Sequence, residues 1–370
     1  MAQRHQANVL KALLRTGDIG RSPWQLSAVA AVAIAAAACK DTASSQPAGS
    51  AGNPVQASFA ATWTLRDSVV PEQTAQSPIV RISGIERDAA GRMLLGDVSE
   101  GTVRLFAANG RLIRTYGRKG RGPGEFEAPR LPRFGVNGRV FVGDVSLRRL
   151  IVFDSLGQPQ RTVALTALGD LSGFVIRSSN SWIFATKQGA DPNVLVETDS
   201  LGVVRRSFLP IGKTLPRGQG EHAVWEAVRA FSLAVNSDTA VVVCTVSDSV
   251  WFVDLKSGAT SAQRLGVPHY VAPSVPSATG RTIAWLQKWI RTFHTAAAVY
   301  VVDGAVVVPF VKGVLNYGDS AIVMQRTRGG RWLTFETTTP LVYGAPGGLL
   351  GLARPQGDSL TINVYQIVRP

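Results

Sequence analysis

Cysteine and histidine are scarce in this chain of 370 residues, which contains two cysteines and four histidines. The two cysteines leave no internal disulfide if Cys39 carries a lipid. The three histidines after residue 38 (His222, His269 and His294) are not spaced as a ligand pair on one strand or helix. No Gly-x-Ser-x-Gly elbow is present. We therefore expect no metal and no cofactor.

Nucleotide-binding loops are also lacking. Residues 212–214 (Gly-Lys-Thr) resemble the end of a phosphate loop, but Ser207 stands where its first glycine should be. Pro216 prevents the helix that should follow. The glycines at 120, 122 and 124 lack the strand–turn–helix context of a dinucleotide fingerprint.

Acidic residues are outnumbered by basic ones, 25 to 39, which gives a formal net charge of +14. A basic chain favours anionic partners. The first residues have the pattern of an export signal, as described below, so these partners would be lipid phosphates, acidic polysaccharide or an acidic protein, and we expect no nucleic acid. The alternative is that the source proteome simply favours arginine.

Long helical patterns are scarce, whereas Val, Ile, Thr and Leu alternate with Gly- and Asp-rich turns over most of the length. This pattern predicts an all-β protein. One domain of about 300 residues is acceptable for a closed β fold.

A unit of 47 residues is repeated without a gap near the front of the chain. Residues 91–99 (GRMLLGDVS) match residues 138–146 (GRVFVGDVS), and Phe106 matches Phe153 at the same offset. Self-similarity at such a period predicts stacked supersecondary units. Asp97 and Asp144 occupy equivalent positions; we expect each to cap a turn, although a ring of carboxylates around a channel is the alternative.

Weaker copies continue to the C-terminus, with a third unit ending near residue 202 and others near 231–265, 296–338 and 341–368. Units of this size with four short strands are typical of propeller blades. We count six blades and predict a six-bladed β-propeller. The last unit is one strand short, and we expect residues 61–65 (ATWTL) to pair there and close the ring.

The first unit, with residues 88–91 (DAAG), 94–97 (LLGD) and 103–106 (VRLF), resembles an NHL-type repeat. The loop 116–126 (YGRKGRGPGEF) is similar to loops of exported bacterial six-bladed propellers, many of which are lipoproteins. The resemblance implies the fold. It does not imply an activity, because such propellers include scaffolds, binders and a few enzymes.

The first 38 residues have the pattern of an export signal, with a basic segment before a short apolar run that ends at 36–39 (AAAC). This end resembles a lipobox with Cys39 as the lipid-bearing residue. The alternatives are cleavage after an Ala-x-Ala site and an uncleaved anchor. Lys40 follows the cysteine, and the resemblance then favours the outer membrane. We expect residues 39–58 to be a flexible tether and residues 59–370 to form the propeller.

The connector 117–133 (GRKGRGPGEFEAPRLPR) carries five cations. Its glycine amides together with Arg118, Lys119 and Arg121 could hold an anion. In the alternative interpretation Glu125 and Glu127 pair with these cations, and the loop is a connector between blades.

A second candidate site is the loop around Glu221 and His222, where His222 is the best general-base candidate of the chain. A solvated histidine is the simpler interpretation.

Residues 281–293 (RTIAWLQKWIRTF) form one amphipathic helix by their spacing. Its tryptophans, Trp285 and Trp289, could contact a ligand, a membrane or a partner. The alternative is a lid helix packed on one face of the propeller.

These patterns predict a monomeric, lipid-anchored envelope protein whose propeller binds an anionic ligand or a protein partner. The ligand would lie near 117–133, 217–226 and 281–293. The alternative is an enzyme, a calcium-dependent lactonase-like hydrolase or a lyase, with its site in the central channel.

Overall fold

Six separate sheets make up the structure, a computed structural model that describes residues 49–50, 54–74, 76–187, 191–215, 223–275, 282–313, 320–345, 348–353 and 360–368. Each sheet contains one blade, whose own strands pair antiparallel in chain order from the inside outward. Strands of the N-terminal segment add to the outer edges of three sheets. The inner strands of successive blades contact one another in a closed ring. The predicted six-bladed β-propeller is therefore confirmed.

The N-terminal segment runs along the outer edges of three blades. It contains β1 (Gly49–Ser50), β2 (Val55–Gln56), the short helix α1 (Phe59–Thr62) and β3 (Trp63–Val69). The strands β1 and β2 pair parallel with the outer strands of the fourth and fifth blades, and β3 pairs antiparallel with the last strand of the sixth. Two short segments of the predicted tether thus pair with outer strands, because the edge of a sheet offers unpaired amides and carbonyls.

The first three blades contain four strands each. Blade 1 consists of β4 (Ile82–Arg87), β5 (Met93–Asp97), β6 (Thr102–Phe106) and β7 (Leu112–Tyr116). Blade 2 consists of β8 (Pro129–Phe134), β9 (Val140–Asp144), β10 (Arg149–Phe153) and β11 (Pro159–Ala164). Blade 3 consists of β12 (Asp170–Ser178), β13 (Ser181–Lys187), β14 (Asn193–Thr198) and β15 (Val204–Pro210).

The last three blades are less regular. Blade 4 consists of β16 (Phe231–Asn236), β17 (Thr239–Cys244), β18 (Ser249–Asp254) and β19 (Thr260–Arg264). Blade 5 has a divided inner strand, β20 (His294–Ala296) and β21 (Tyr300–Val302), followed by β22 (Ala305–Lys312), β23 (Ala321–Arg326) and β24 (Trp332–Thr337). Blade 6 consists of β25 (Leu341–Ala345), β26 (Gly348–Ala353) and β27 (Thr361–Ile367), with β3 outermost.

Helices occur in two of the connections between blades. Helix α2 (Ala223–Val228) leads into blade 4, and helix α3 (Ile283–Ile290) leads into blade 5. Single 3-10 turns lie at Val136–Gly138, Thr166–Leu168 and Ile211–Thr214. None of the helices in the described ranges is both long and apolar enough to cross a membrane.

The core lies between the blades, and the strands next to the inner ones are buried on both faces. Every residue of β5 and of β9 is buried. This explains why their sequences read as apolar runs instead of alternating patterns. Cys244 ends β17 fully buried, as its apolar neighbours indicate, and burial raises the pKa of its thiol to about 11.

The repeated aspartates, Asp97 and Asp144, cap the entry of the chain into blades 1 and 2. Asp97 is fully buried and accepts hydrogen bonds from the amides of Val80 (2.8 Å) and Arg81 (3.2 Å). Asp144 is also buried and accepts from the amides of Glu127 (2.9 Å) and Ala128 (3.2 Å). At the turn that follows each strand, Asp97 also accepts from the Ser99 amide (2.9 Å) and Asp144 from the Leu147 amide (3.3 Å), so the prediction that each caps a turn is confirmed.

Candidate binding cavity

A cavity of about 380 Å³ runs between the inner strands of all six blades. Residues of β4, β8, β12, β16, β20, β21 and β25 line it. Gly84 allows β4 to approach β8 closely, because a Cβ atom there would lie 3.0 Å from the Leu131 nitrogen and the Pro132 Cδ. The cavity is thus the axial channel of the propeller.

Irregular pairing in β8 determines which of its side chains reach this cavity. One extra residue is inserted between Arg130 and Arg133, and Leu131 takes a left-handed φ of 51°. Arg130 then pairs with Gly143, and Arg133 pairs with Phe141. Since these partners are two residues apart, the bulge brings both arginines to the same face of the sheet. Both line the cavity.

Arg133 is held by groups from three blades. Its Nε donates to the Phe174 carbonyl at 3.1 Å, and its Nη1 contacts the Pro132 carbonyl at 3.3 Å. Its guanidinium carbon lies 5.7 Å from the ring centroids of both Phe174 and Tyr343. These contacts fix the cation in the wall and leave it without a carboxylate at salt-bridge distance among the described residues.

Glu86, from blade 1, lies close to Arg133. Its carboxylate accepts hydrogen bonds from the Phe134 amide (2.7 Å) and the Tyr343 hydroxyl (2.9 Å). Burial raises the pKa of Glu86, while the positive charge of Arg133 and these two hydrogen bonds act in the opposite direction. Burial likewise raises the pKa of Tyr343 well above its usual value.

Arg130 is the second cation of the wall. Burial lowers the pKa of its guanidinium, and the positive charge of Arg81 lowers it further. Both effects oppose a positive charge at this position, and a negative charge nearby would favour it.

The opposite wall is apolar. Blades 4 and 5 and helix α3 line it with side chains that carry no polar atom: Val228, Phe231, Leu233, Val235, Ile290, Ala296, Ala297, Ala298, Val299, Val301 and Val311. The hydroxyls on this side are engaged with the backbone. Ser232 accepts from the Val299 amide (2.9 Å), and Thr245 donates to the Ala230 carbonyl (3.0 Å). Thr295 donates to the Gly313 carbonyl, and Tyr300 donates to the Leu341 carbonyl (2.8 Å).

The cations predicted from the connector lie outside this cavity wall. Arg118 forms an ion pair with Glu125 at 2.8 Å, and the Lys119 ammonium donates to the Val98 carbonyl at 3.2 Å. Arg121 lies 4.0 Å from Glu127. All three side chains are exposed but engaged, as the connector interpretation expects.

The two tryptophans predicted as ligand contacts, Trp285 and Trp289 of helix α3, pack against other aromatic side chains. Trp289 is buried 5.8 Å from Trp225 of helix α2 and 5.1 Å from Phe293 (centroid distances). Trp285 is half-buried and stacks on Trp289 at 5.7 Å. Thr282 caps the helix by accepting from the Trp285 amide. The helix is a packed cover in the connection between blades 4 and 5, and its Ile290 reaches the cavity.

Glu221, His222 and Cys39 lie outside the described residues. Within the described ranges, no group of three or more His, Cys, Asp or Glu side chains is arranged to hold a metal ion.

The cavity residues Glu86, Arg130, Arg133 and Tyr343 were not singled out from the sequence. Arg130 and Arg133 belong to the cation-rich connector 117–133, so the region was found but the residues were not. The sequence signal that points to this pair is the 47-residue offset between blades 1 and 2, at which Arg133 stands in the place of Glu86.

Comparison with solved structures supports the fold. A protein of Bacteroides fragilis, named "Putative exported protein", has a TM-score of 0.59 at 10% identity, over 85% of this chain and 98% of that one. A DUF4221 family member from Bacteroides vulgatus has a TM-score of 0.57 at 12% identity, over 83% and 98%. Virginiamycin B lyase from Staphylococcus aureus reaches only 0.48 at 11% identity, over 83% and 100%. No protein-family model and no curated protein match the sequence.

Proposed function

We propose that this chain is an exported protein, held at the cell envelope by a lipid on Cys39, whose propeller binds an anionic ligand in its axial cavity. The basic and apolar leader and the lipobox-like residues 36–39 support the export and the anchor. The name of the structurally similar Bacteroides fragilis protein agrees with export.

The observation that carries the binding proposal is the pair of arginines in the cavity wall. Arg130 and Arg133 face the same cavity, and Glu86 is the one carboxylate that the described wall sets against them. Guanidinium groups bind carboxylate and phosphate oxygens well, and two of them in the wall of one small cavity would attract an anion.

Calorimetric titration of the mature chain with small anions tests this function. We expect saturable binding that Arg130→Gln weakens about tenfold or more, since it removes a charge-assisted hydrogen bond from the site. Arg139→Gln is the matched control, because it removes the same charge from an exposed position before β9. Equal binding by both variants would place the anion elsewhere and overturn the proposal.

The anchor has its own test. Palmitate labelling in the native host should be lost in Cys39→Ser and retained in Cys244→Ser, since Cys244 lies buried in the folded propeller. Labelling that survives Cys39→Ser would refute the lipid anchor without affecting the cavity proposal.

The enzyme alternative has less support from the cavity. A calcium-dependent lactonase-like site needs several carboxylates and amides that converge on the axis, whereas the described wall contributes Glu86 alone. A stoichiometric divalent ion that is lost on replacing Glu221 or His222 would favour the enzyme.

A further inference from the structure

The propeller has two faces, which the direction of its strands defines. Because the four strands of a blade alternate in direction, the turns between strands 1 and 2 and between strands 3 and 4 open on one face, which we call the turn face. The loop 117–128 and helices α2 and α3 join one blade to the next and therefore lie on the opposite face, the connection face.

The N-terminal chain reaches the propeller from the turn face. Strand β1 runs parallel to β19, with Gly49 opposite Gln263 and Ser50 opposite Arg264. Since β19 begins after the turn that leaves β18, at the turn face, β1 runs away from that face. Ten residues lead from Cys39 to Gly49 and span at most about 36 Å, whereas the five residues of β19 span about 17 Å. A lipid on Cys39 would therefore bring the turn face towards the membrane.

Two leucines protrude from the turn face. Leu156 and Leu201 are 70% and 68% exposed, the highest values among the large apolar side chains of the described ranges. They hold the same position in the turns between strands 3 and 4 of blades 2 and 3. Asp154 accepts from the Leu156 amide at 2.9 Å and Asp199 from the Leu201 amide at 2.8 Å, so each turn is fixed with its leucine at the tip. Together with the exposed Val203, these tips would gain free energy by leaving water.

Arginines of the preceding blade lie beside the turns between strands 3 and 4. The Arg114 guanidinium of blade 1 donates to the Ser155 carbonyl, in the turn that carries Leu156. Arg206 of blade 3 donates in the same way to the Lys256 carbonyl of the turn in blade 4, at 3.2 Å. The repeat thus places a cation at the edge of a turn tip in more than one blade.

Basic residues outnumber acidic ones along these turns. The five described turns between strands 3 and 4, each taken as eight residues, contain eight cations and three aspartates. The three carboxylates accept hydrogen bonds from amides of their own turns. An excess of positive charge beside apolar tips matches the surface of an anionic bilayer. The eight-residue segments are 107–114, 154–161, 199–206, 254–261 and 327–334.

We infer that the turn face docks on an anionic lipid surface, with Leu156 and Leu201 among the headgroups and the basic residues against the lipid phosphates. The inference rests on the proposed anchor for the direction of approach, and it concerns a surface apart from the axial cavity. Apolar side chains bind by leaving water, and cations bind by attraction to the negative surface, so the two contributions act together.

Sedimentation with vesicles tests the apolar contribution. The mature chain carries Cys39→Ser, so no lipid anchor takes part, and the vesicles are phosphatidylcholine with or without phosphatidylglycerol. We expect binding to the anionic vesicles at physiological salt, and the pair Leu156→Ser and Leu201→Ser should weaken it about tenfold. The matched control is the pair Val80→Ser and Val271→Ser, which removes two exposed apolar side chains from the connection face and should leave binding unchanged.

A second set of variants tests the charge. Arg111→Gln, Arg205→Gln and Arg331→Gln together remove three exposed cations from the turn face and should weaken binding to anionic vesicles about tenfold. The matched control replaces the three cations of the loop 117–128 by glutamine. It removes the same charge from the connection face and should weaken binding less than about twofold, because salt screens charges that lie far from the bilayer.

The outcomes separate this inference from the proposed function. Vesicle binding that is indifferent to both sets of turn-face variants, or that is weakened more by the connection-face variants, would overturn the docking. No binding to anionic vesicles would overturn it as well, whereas palmitate labelling of Cys39 and anion binding in the cavity would stand on their own tests. Docking that persists when Cys39 proves unlabelled would overturn the anchor alone.

Discussion

Blades 1 and 2 follow the same 47-residue pattern, and their second strands are nearly interchangeable. Asp97 ends β5 and Asp144 ends β9, and each accepts hydrogen bonds from amides 17 and 16 residues earlier. Both strands are buried throughout. Identity at these positions reflects what these two blades need in order to fold.

The inner strands of the same two blades differ in charge. Glu86 of β4 and Arg133 of β8 occupy equivalent positions in the strand pairing, and Ser83 and Arg130 correspond at the 47-residue offset in the sequence. All four line the cavity. Where the copies agree, the residues stabilise the scaffold, and where they differ, the residues give the axial cavity its chemistry.

The largest effect should come from breaking the shared part of the pattern. Asp97→Ala and Asp144→Ala each empty a buried position and leave partly buried amides without an acceptor, which should lower the free energy of unfolding by about 3 kcal/mol. Chemical denaturation measures this. Asp67→Ala, at an exposed position in β3, should cost less than about 0.5 kcal/mol. A neutral Asp97→Ala or Asp144→Ala would contradict the capping role.

Making blade 2 resemble blade 1 should remove the binding and not the fold. Arg130→Ser introduces the residue that blade 1 has at the equivalent position, so anion affinity should fall about tenfold or more. The unfolding midpoint should change little, because the buried strand β9 and its capping Asp144 are untouched. A large loss of stability at unchanged affinity would make Arg130 a structural residue instead.

A smaller effect of opposite sign is expected from Glu86→Gln. The amide oxygen can accept from the Phe134 amide, and its NH2 group can donate to the Tyr343 hydroxyl. The negative charge is removed, so anion affinity should rise a few-fold at neutral pH. Affinity measured at a series of pH values tests the cause.

Glu86 is faced by Arg133 and Tyr343 from the adjacent blades and has Asp88 near it on its own side. Because its pKa is raised, the native cavity becomes more positive as the pH falls through that pKa, and anion affinity should increase. Glu86→Gln should abolish this trend. A trend that persists in the variant would assign it to another group.

The smallest effect concerns the connector between the two copies. Replacement of Arg118, Lys119 and Arg121 together by glutamine should weaken retention on an anionic matrix at low salt, because exposed charges act over distance and are screened by salt. The melting temperature and the affinity of the cavity at high salt should not change. A loss of affinity at high salt would move the anion site to this loop.

The fold was predictable from the sequence because its signals are local and repeated. The turn after Asp97 recurs after Asp144, and the apolar runs of β5 and β9 mark strands buried between blades. The cavity was not predictable in the same way. Whether Arg130 and Arg133 share a face depends on a bulge at Leu131, which no residue pattern announces. Their relation to Glu86 and Tyr343 depends on how three blades meet around the axis, which is a tertiary property.

The most direct test of the account is anomalous diffraction from crystals soaked with bromide. We predict a bromide peak inside the axial cavity beside Arg130 and Arg133, and its loss in Arg130→Gln. A bromine peak only outside the cavity, such as at residues 117–127, would contradict the account.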